Sequence, residues 1–313
     1  MSRREKLTDI LESFERDGML RGLSRDSLLR YRSPIRQLIT ILERKGLNFA
    51  ELDNEVLKEF LEEQKARNLS AKTLKNYFVG LSTFYDFLVF EGMVDSNPIP
   101  AFRKRYLHTY KADQRPEERR LLSVTEMSQL ISNMLDPRAR AVAMVLAKTG
   151  VRKGELIAMD LEDINWENYS ITLKPKAKRS NRTVFFDEEC AMALRRWLMV
   201  RNDLGVPEDC HALFVNYGSK KRIDKNRVYE DIVNTARLLG FHRPESSKLS
   251  DHFSPHAFRH WFTTWLLRNG MPRDYVKELR GDARRDAIDI YNHIDMEDVR
   301  REYLARIPRL GIY

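Results

Sequence analysis

The sequence predicts a mainly α protein with a small β-sheet, built as a helical first domain and a larger α+β second domain. Three observations carry this. Apolar residues recur at spacings of three and four through the first hundred residues. A charge-rich stretch without that period follows, "FRKRYLHTYKADQRPEERR". Beyond it, "SITLK" and "RTVFF" alternate like two short strands inside an otherwise helical pattern. A chain of 313 residues also exceeds one typical domain. We expect domains at 1–102 and 121–313, joined by a linker over 103–120.

In the first domain, "LLRYRSPIRQLITILERKG" and "TLKNYFVGLSTFYDFLVFEG" carry the helical period. Ser24 and Ser70 stand where a hydroxyl can accept from the unpaired N–H groups of a first turn, and Gly46 and Gly92 stand where helices end. Pro98 is expected to close the last helix, giving a bundle of about four. In the second domain, "SVTEMSQLISNML" and "RARAVAMVLAKTG" lead to "RKGELIAM", then to the two strands around a basic turn. Further helices are expected at 187–201, 225–239, 255–268, 272–279, 284–291 and 296–306.

Composition narrows the function classes. With 42% hydrophobic and 32% charged residues the chain reads as globular rather than disordered. It has no apolar run near the roughly 20 residues of a membrane span, and "MSRREKLTDI" lacks the apolar core of a signal peptide, so a cytoplasmic protein is expected. The two cysteines, Cys190 and Cys210, form no CxxC pair, which argues against a disulfide framework and a cysteine-based zinc site. The net charge of +9 suits a polyanionic partner.

Four stretches could carry chemistry. In "SPHAFRHWF", Ser254 can cap the helix, Pro255 suits its first turn, and His256 and Arg259 lie three apart near the positive helix end, where they can meet a phosphate. Ordinary cap and surface residues are the bland alternative. His252, His256 and His260 are spaced like a metal face, but Pro255 breaks the register and no carboxylate completes the set. In "AKTGVRKGELIAM", Arg152 follows a glycine turn and opens a helix, with Glu155 placed to orient it or the helix start. The turn "KPKAKRSN" holds Lys174, Lys176, Lys178 and Arg179 without an acidic residue. It is either a solvated hairpin tip or the seat of a lysine general acid. Tyr291 in "DAIDIYNHI" can serve as a nucleophile if its phenol, with a reference pKa of about 10, loses its proton or has its anion stabilised. Lys220, Lys221 and Arg222, at the head of "KKRIDKNRVYED", join the hairpin cations as candidate contacts to a nucleic-acid backbone.

Arg152, a hairpin lysine, His256 and Arg259 in "HAFRH", and Tyr291, in that order, resemble the catalytic set of the tyrosine recombinases, the Xer and phage-integrase family. "LSAKTLKNYFVGLSTFYDFLVFEGMVDSNPI" is similar to the end of that family's amino-terminal, SAM-like core-binding domain. The resemblance implies a site-specific DNA recombinase that works through a 3′-phosphotyrosyl intermediate without metal or nucleotide cofactor. Tyr291 would be the nucleophile, Arg152 and Arg259 would stabilise charge on the phosphate, and His256 would assist proton transfer. Counting back from "RTVFF" leaves Lys176 and Lys178 as candidates for the general acid, with Lys176 preferred. The implied partner is double-stranded DNA, clamped between the two domains by a tetramer of protomers that are monomeric in solution, in the nucleoid.

The chain departs from the family at "RGD", which puts Asp282 where "LGH" usually stands. Asp282 is expected to turn toward Arg259, Arg280 or another cation and orient it. "MEDVRREYLARI" reads as a helix that docks either on a neighbouring protomer, as in similar recombinases, or on its own domain. Rival readings are a type IB topoisomerase-like enzyme, a DNA-binding protein that has lost catalysis, and a zinc hydrolase.

Overall fold

The computed structural model describes residues 3–107, 120–175, 181–246, 248–282 and 294–313, with side chains from residue 9 onward. The chain divides into two compact units, Met1–Pro116 and Glu117–Tyr313.

The first unit holds α1 (Arg3–Leu20), α2 (Arg25–Lys45), α3 (Asn54–Ala66), α4 (Ala71–Phe90) and α5 (Ile99–Tyr106). The expected serine caps are in place. Ser24 accepts from the Ser27 N–H at 3.3 Å and Ser70 from the Thr73 N–H at 3.2 Å. Phe14, Phe60, Phe78, Phe84 and Leu57 are fully buried at the centre, and Phe14 meets Phe84 edge to face at 5.3 Å. Each such side chain contributes roughly 1.5–3 kcal/mol on leaving water.

Pro98 does not close the last helix. α4 ends at Phe90, and Pro98 stands at the start of α5, where its missing N–H costs nothing. α5 buries Ile99 and Phe102, the latter stacked on Phe78 at 5.4 Å, so the described part of this unit has five helices rather than four. Its last turn, Arg103 to Tyr106, lies in the stretch expected as linker. Two apolar anchors among charged and polar groups are too few to show a period.

The second unit holds α6 (Val124–Ser132), α7 (Pro137–Thr149), α8 (Lys153–Ile157), β1 (Ile164–Asn165), β2 (Ser170–Thr172), β3 (Thr183–Phe185), α9 (Glu188–Asp203), α10 (Lys225–Leu238), α11 (Pro255–Arg268), α12 (Arg273–Arg280) and α13 (Met296–Arg306). The strands form an antiparallel sheet in the order β1-β2-β3, with Ile171 opposite Ile164 on one side and Val184 on the other. β1 is absent from the sequence expectation, because two residues cannot show alternation. α7 is the axis of the unit. Every residue from Ala141 to Ala147 is fully buried, as befits a helix that is apolar all round. The helix expected at 284–291 lies outside the described residues.

The C-terminal helix, with two docking readings open, packs on its own domain. Val299 and Tyr303 of α13 are buried, and the Tyr303 hydroxyl donates to the Lys148 carbonyl at 2.8 Å. Lys148, fully buried, donates its ammonium to Asp187, Glu189 and the Pro308 carbonyl. The Glu189 carboxylate in turn accepts from the N–H groups of Leu310, Gly311 and Ile312. Among the described residues no helix is long and apolar enough to cross a membrane.

Candidate active site

The site begins where α7 stops. Gly150 ends that helix in the left-handed conformation at φ 61°, and a Cβ there would stand 2.3 Å from the Phe262 ring. Glycine is therefore required for both conformation and space. Two residues on, Arg152 stands at the N-cap of α8. Its N–H donates to Glu155 Oε2 at 2.8 Å and its guanidinium to Glu155 Oε1 at 3.0 Å. One buried carboxylate thus does both things expected of Glu155, capping the helix start and aiming the arginine. The Arg152 side chain keeps 44% of its surface exposed, so its head remains open to a ligand.

α11 supplies the second arginine. Arg259 is only 4% exposed. It donates through Nη1 to the Gly150 carbonyl at 2.8 Å and through Nη2 to the Arg280 carbonyl at 2.9 Å, tying the end of α7 to the end of α12. Burial first, then the neighbouring Arg152 and Arg280 charges, push its pKa down to about 10, against the pull of Asp282 and Glu155. It stays protonated at neutral pH. His256 lies exposed one turn earlier. Ser254 does occupy the N-cap position, but its hydroxyl makes no capping bond. The Ala257 N–H bonds the Ser254 carbonyl at 2.8 Å.

Asp282 follows Gly281, the left-handed C-cap of α12. Its carboxylate meets Arg280 Nε at 2.9 Å, Arg259 Nη2 at 3.4 Å and Arg152 Nη2 at 3.8 Å. It faces both partners expected for it and reaches a third. His256, Arg259, His260, Thr263, Thr264 and Arg280 line an open cavity of about 150 Å³. Arginine heads around an open mouth are suited to a phosphate diester.

The remaining candidates are distributed unevenly. Tyr291, Lys176, Lys178 and Arg179 lie outside the described residues. Lys174 donates to Asp160 at 2.8 Å and Asp163 at 2.9 Å. Arg222 donates to Asp160 at 2.5 Å and to the carbonyls of Ile157 and Met159. Burial alone would raise the Asp160 carboxyl, but its bonds to Lys174 and Arg222 outweigh burial and hold it below the usual carboxylate range. Both cations are thus paired with carboxylates within the domain while staying partly exposed. Lys220 and Lys221 sit in the turn between Asn216 and Arg222, the first half-buried and the second exposed. The three histidines do not converge. His252 bonds the Ser246 carbonyl at 2.6 Å and packs edge-on against His242, while His260 meets Thr264. Among the described residues no group of three or more His, Cys, Asp and Glu side chains is disposed to hold a metal.

Sequence reasoning missed the Gly150 carbonyl as an anchor for Arg259, since nothing in a residue pattern marks a backbone acceptor. It also missed Arg280 as a lining residue of the cavity.

The phage integrase family pattern matches residues 117–298, and the phage integrase N-terminal SAM-like domain matches 12–92. The chain belongs to the phage integrase family. This recombinase is 25% identical over 298 residues to the tyrosine recombinase XerC of Vibrio cholerae serotype O1, covering 92% of this chain and 89% of the relative. It is 27% identical over 292 residues to XerC of Escherichia coli O127:H6, covering 92% of each. A lambda integrase dimer bound to a COC′ core site shares the fold at TM-score 0.64 and 16% identity, over 93% of this chain and 99% of that one. A lambda integrase tetramer bound to a Holliday junction does so at 0.62 and 17%, over 91% and 80%. The recombinase therefore has the expected architecture, a helical SAM-like domain followed by an α+β catalytic domain.

Proposed function

We propose that this tyrosine recombinase cuts and rejoins double-stranded DNA at a specific site, with Tyr291 as the nucleophile. The Tyr291 oxygen bonds to the scissile phosphorus, the bond from phosphorus to the 5′ oxygen breaks, and a 3′-phosphotyrosyl link and a 5′ hydroxyl result. His256 assists removal of the phenol proton, and Lys176, or Lys178 in its place, gives a proton to the leaving oxygen. The 5′ hydroxyl of a partner strand then reverses the step.

The observation that carries this reading is the convergence of Arg152 and Arg259 on Asp282, with Arg259 also lining the cavity bordered by His256. Preorganised guanidiniums stabilise charge that grows on the non-bridging oxygens, and stabilisation of that kind commonly outweighs every other source of rate enhancement. They supply what a metal supplies elsewhere, so the reaction proceeds without one. Asp282 orients the arginines rather than meeting the phosphate, which it would repel. Lys178, Arg179, Lys220 and Lys221 contact the DNA backbone, and binding weakens with salt. Four protomers assemble on two DNA sites in the nucleoid, a reading supported by the tetrameric form of the lambda relative.

The test uses nicked suicide duplexes enriched from genomic fragments by binding to the Tyr291→Phe protein, with EDTA present throughout. Wild type should form a covalent adduct on a denaturing gel and Tyr291→Phe none. An adduct in Tyr291→Phe would mean another nucleophile. Binding without any adduct would favour a DNA-binding protein without catalysis. Adducts that reseal only their own strand would favour a topoisomerase, and inhibition by EDTA would remove the metal-free scheme.

A further inference from the structure

We infer that His242 and His252, packed ring against ring in the loop over 239–254, form a proton-sensitive latch on the first turn of α11. The latch itself stands apart from the recombinase reading above, while its effect on cleavage rests on that reading. Three features of the loop point to it.

The first is burial without a partner. His242 is 4% exposed, and its backbone N–H donates to the Ala236 carbonyl of α10 at 3.2 Å. The ring nitrogen Nδ1 is buried and has no hydrogen-bond partner among the described residues. In an imidazolium both nitrogens are donors, so a proton taken up by His242 puts an N–H and a charge where nothing accepts them.

The second is the charge around that ring. His252 stands edge-on to it at 5.5 Å. The His252 Nε2 lies 2.6 Å from the Ser246 carbonyl, which can only accept, so the His252 N–H is committed there. Arg237 faces His242 from α10, and Arg120 lies over the adjoining Phe241 ring at 5.1 Å. Asp251, the carboxylate beside His252, is shared with Arg243, Lys248 and the Ser246 hydroxyl. Burial first, then His252 and Arg237, hold the His242 pKa below its ordinary value, against the Phe253 backbone and Glu245. The folded protein therefore binds this proton less readily than the unfolded chain. The contribution to stability is complete above the ordinary histidine value of 6.5 and is lost as pH falls from there through the folded value.

The third is what the loop holds. The Arg243 N–H donates to the Asp251 carbonyl at 2.8 Å and the Lys248 N–H to the Ser246 hydroxyl at 3.1 Å, so the loop closes on itself. Phe253, next to His252 and buried, meets Phe258 of α11 edge to face at 5.4 Å. His256 lies between these two phenylalanines in the chain, and Arg259 follows the second. Protonation of His242 pushes apart the rings that set where α11 begins, and the turn that carries His256 loosens.

The test follows hydrogen exchange of the full chain without DNA from about pH 8 to about pH 5, the range over which histidines titrate. Peptides covering 241–258 should open about fivefold more readily at the acid end than those of α2, after correction for intrinsic exchange rates. This extra opening should vanish in His242→Phe, which fills the space and takes no proton, and in His242→Gln, which stays neutral and keeps polar atoms. With DNA saturating, wild type and His242→Phe should cleave the suicide duplex equally at the alkaline end, and wild type should fall about fivefold behind at the acid end. Comparing the two proteins at each pH cancels the titration of groups they share. An acid response over 241–258 no larger than that of α2, or one that persists in both variants, would overturn the latch. Cleavage rates that stay equal across the range would overturn its hold on the site. A wild type that forms no adduct would bring down the recombinase reading alone and leave the exchange result standing.

Discussion

Two of the clusters of cations and carboxylates in the catalytic domain are built for opposite ends. Around Asp160 and Asp163, Lys174 and Arg222 meet an equal number of carboxylates, and Arg222 also donates to two carbonyls. That cluster is neutral and fastens the start of the sheet to the turn at Arg222. Around Asp282, Arg152, Arg259 and Arg280 meet its carboxylate beside an open cavity that Arg259 and Arg280 line. The difference is access rather than the number of cations. Cations tied to carboxylates and carbonyls form a clasp, whereas those that border a cavity stand where a ligand can meet them.

The largest effect expected from this contrast is at Arg259. Arg259→Ala should lower single-turnover cleavage about 1,000-fold, because a buried, preorganised donor is lost from the developing charge. It should also cost about 2 kcal/mol of stability by leaving the Gly150 and Arg280 carbonyls without their donor. Chemical denaturation measures the second effect and the suicide duplex the first. A variant that keeps its cleavage rate while losing stability would make Arg259 a clasp like Lys174.

Next in size is the neutral cluster. Lys174→Ala combined with Arg222→Ala should cost about 1–2 kcal/mol, a modest figure because both side chains are partly exposed and their charges screened. DNA affinity and cleavage should hardly change. The cost should also depend on pH with a definite sign. Asp160 has its carboxyl held down in the folded protein, so its stabilisation is fully present above the ordinary carboxylate value of 3.8 and is lost as pH falls through the folded value below that. Wild type and double variant should therefore converge in stability in strong acid. A large loss of DNA affinity at neutral pH would return Lys174 and Arg222 to the DNA interface.

How far the sequence revealed these regions follows the range of the interactions. Local signals were read well. The hydroxyls of Ser24 and Ser70 act three residues away, Gly150 acts at its own backbone, and the Arg152 and Glu155 pair spans one helical turn. The "HAFRH" helix start was also visible, as a cluster of cations where the dipole favours anions. What the pattern did not show were partners far along the chain and elements too short to carry a period. Arg222 pairs with Asp160 across 62 positions. Ser254 stands at the N-cap position, yet its hydroxyl makes no capping bond. α5 carries only two buried residues in a charged stretch. Arg280 drew notice only as a partner for Asp282, because its place at the cavity depends on the fold of α12 against Arg259.

The smallest effect concerns a cation in neither cluster. Lys221 is exposed at the tip of a turn whose backbone is closed by bonds between Asn216 and both Lys220 and Lys221. Its side chain is placed to touch a phosphate without holding the domain together. Each backbone phosphate neutralised releases counterions, so one lost contact should flatten the slope of log affinity against log salt by about 0.9. Lys221→Ala is therefore expected to weaken DNA binding slightly and equally for all sequences, with unchanged stability and an unchanged cleavage rate once DNA is saturating. Titrations at several salt concentrations read the slope directly. An unaltered slope would place the turn away from DNA and leave the arginines around Asp282 to meet the backbone without help from this side.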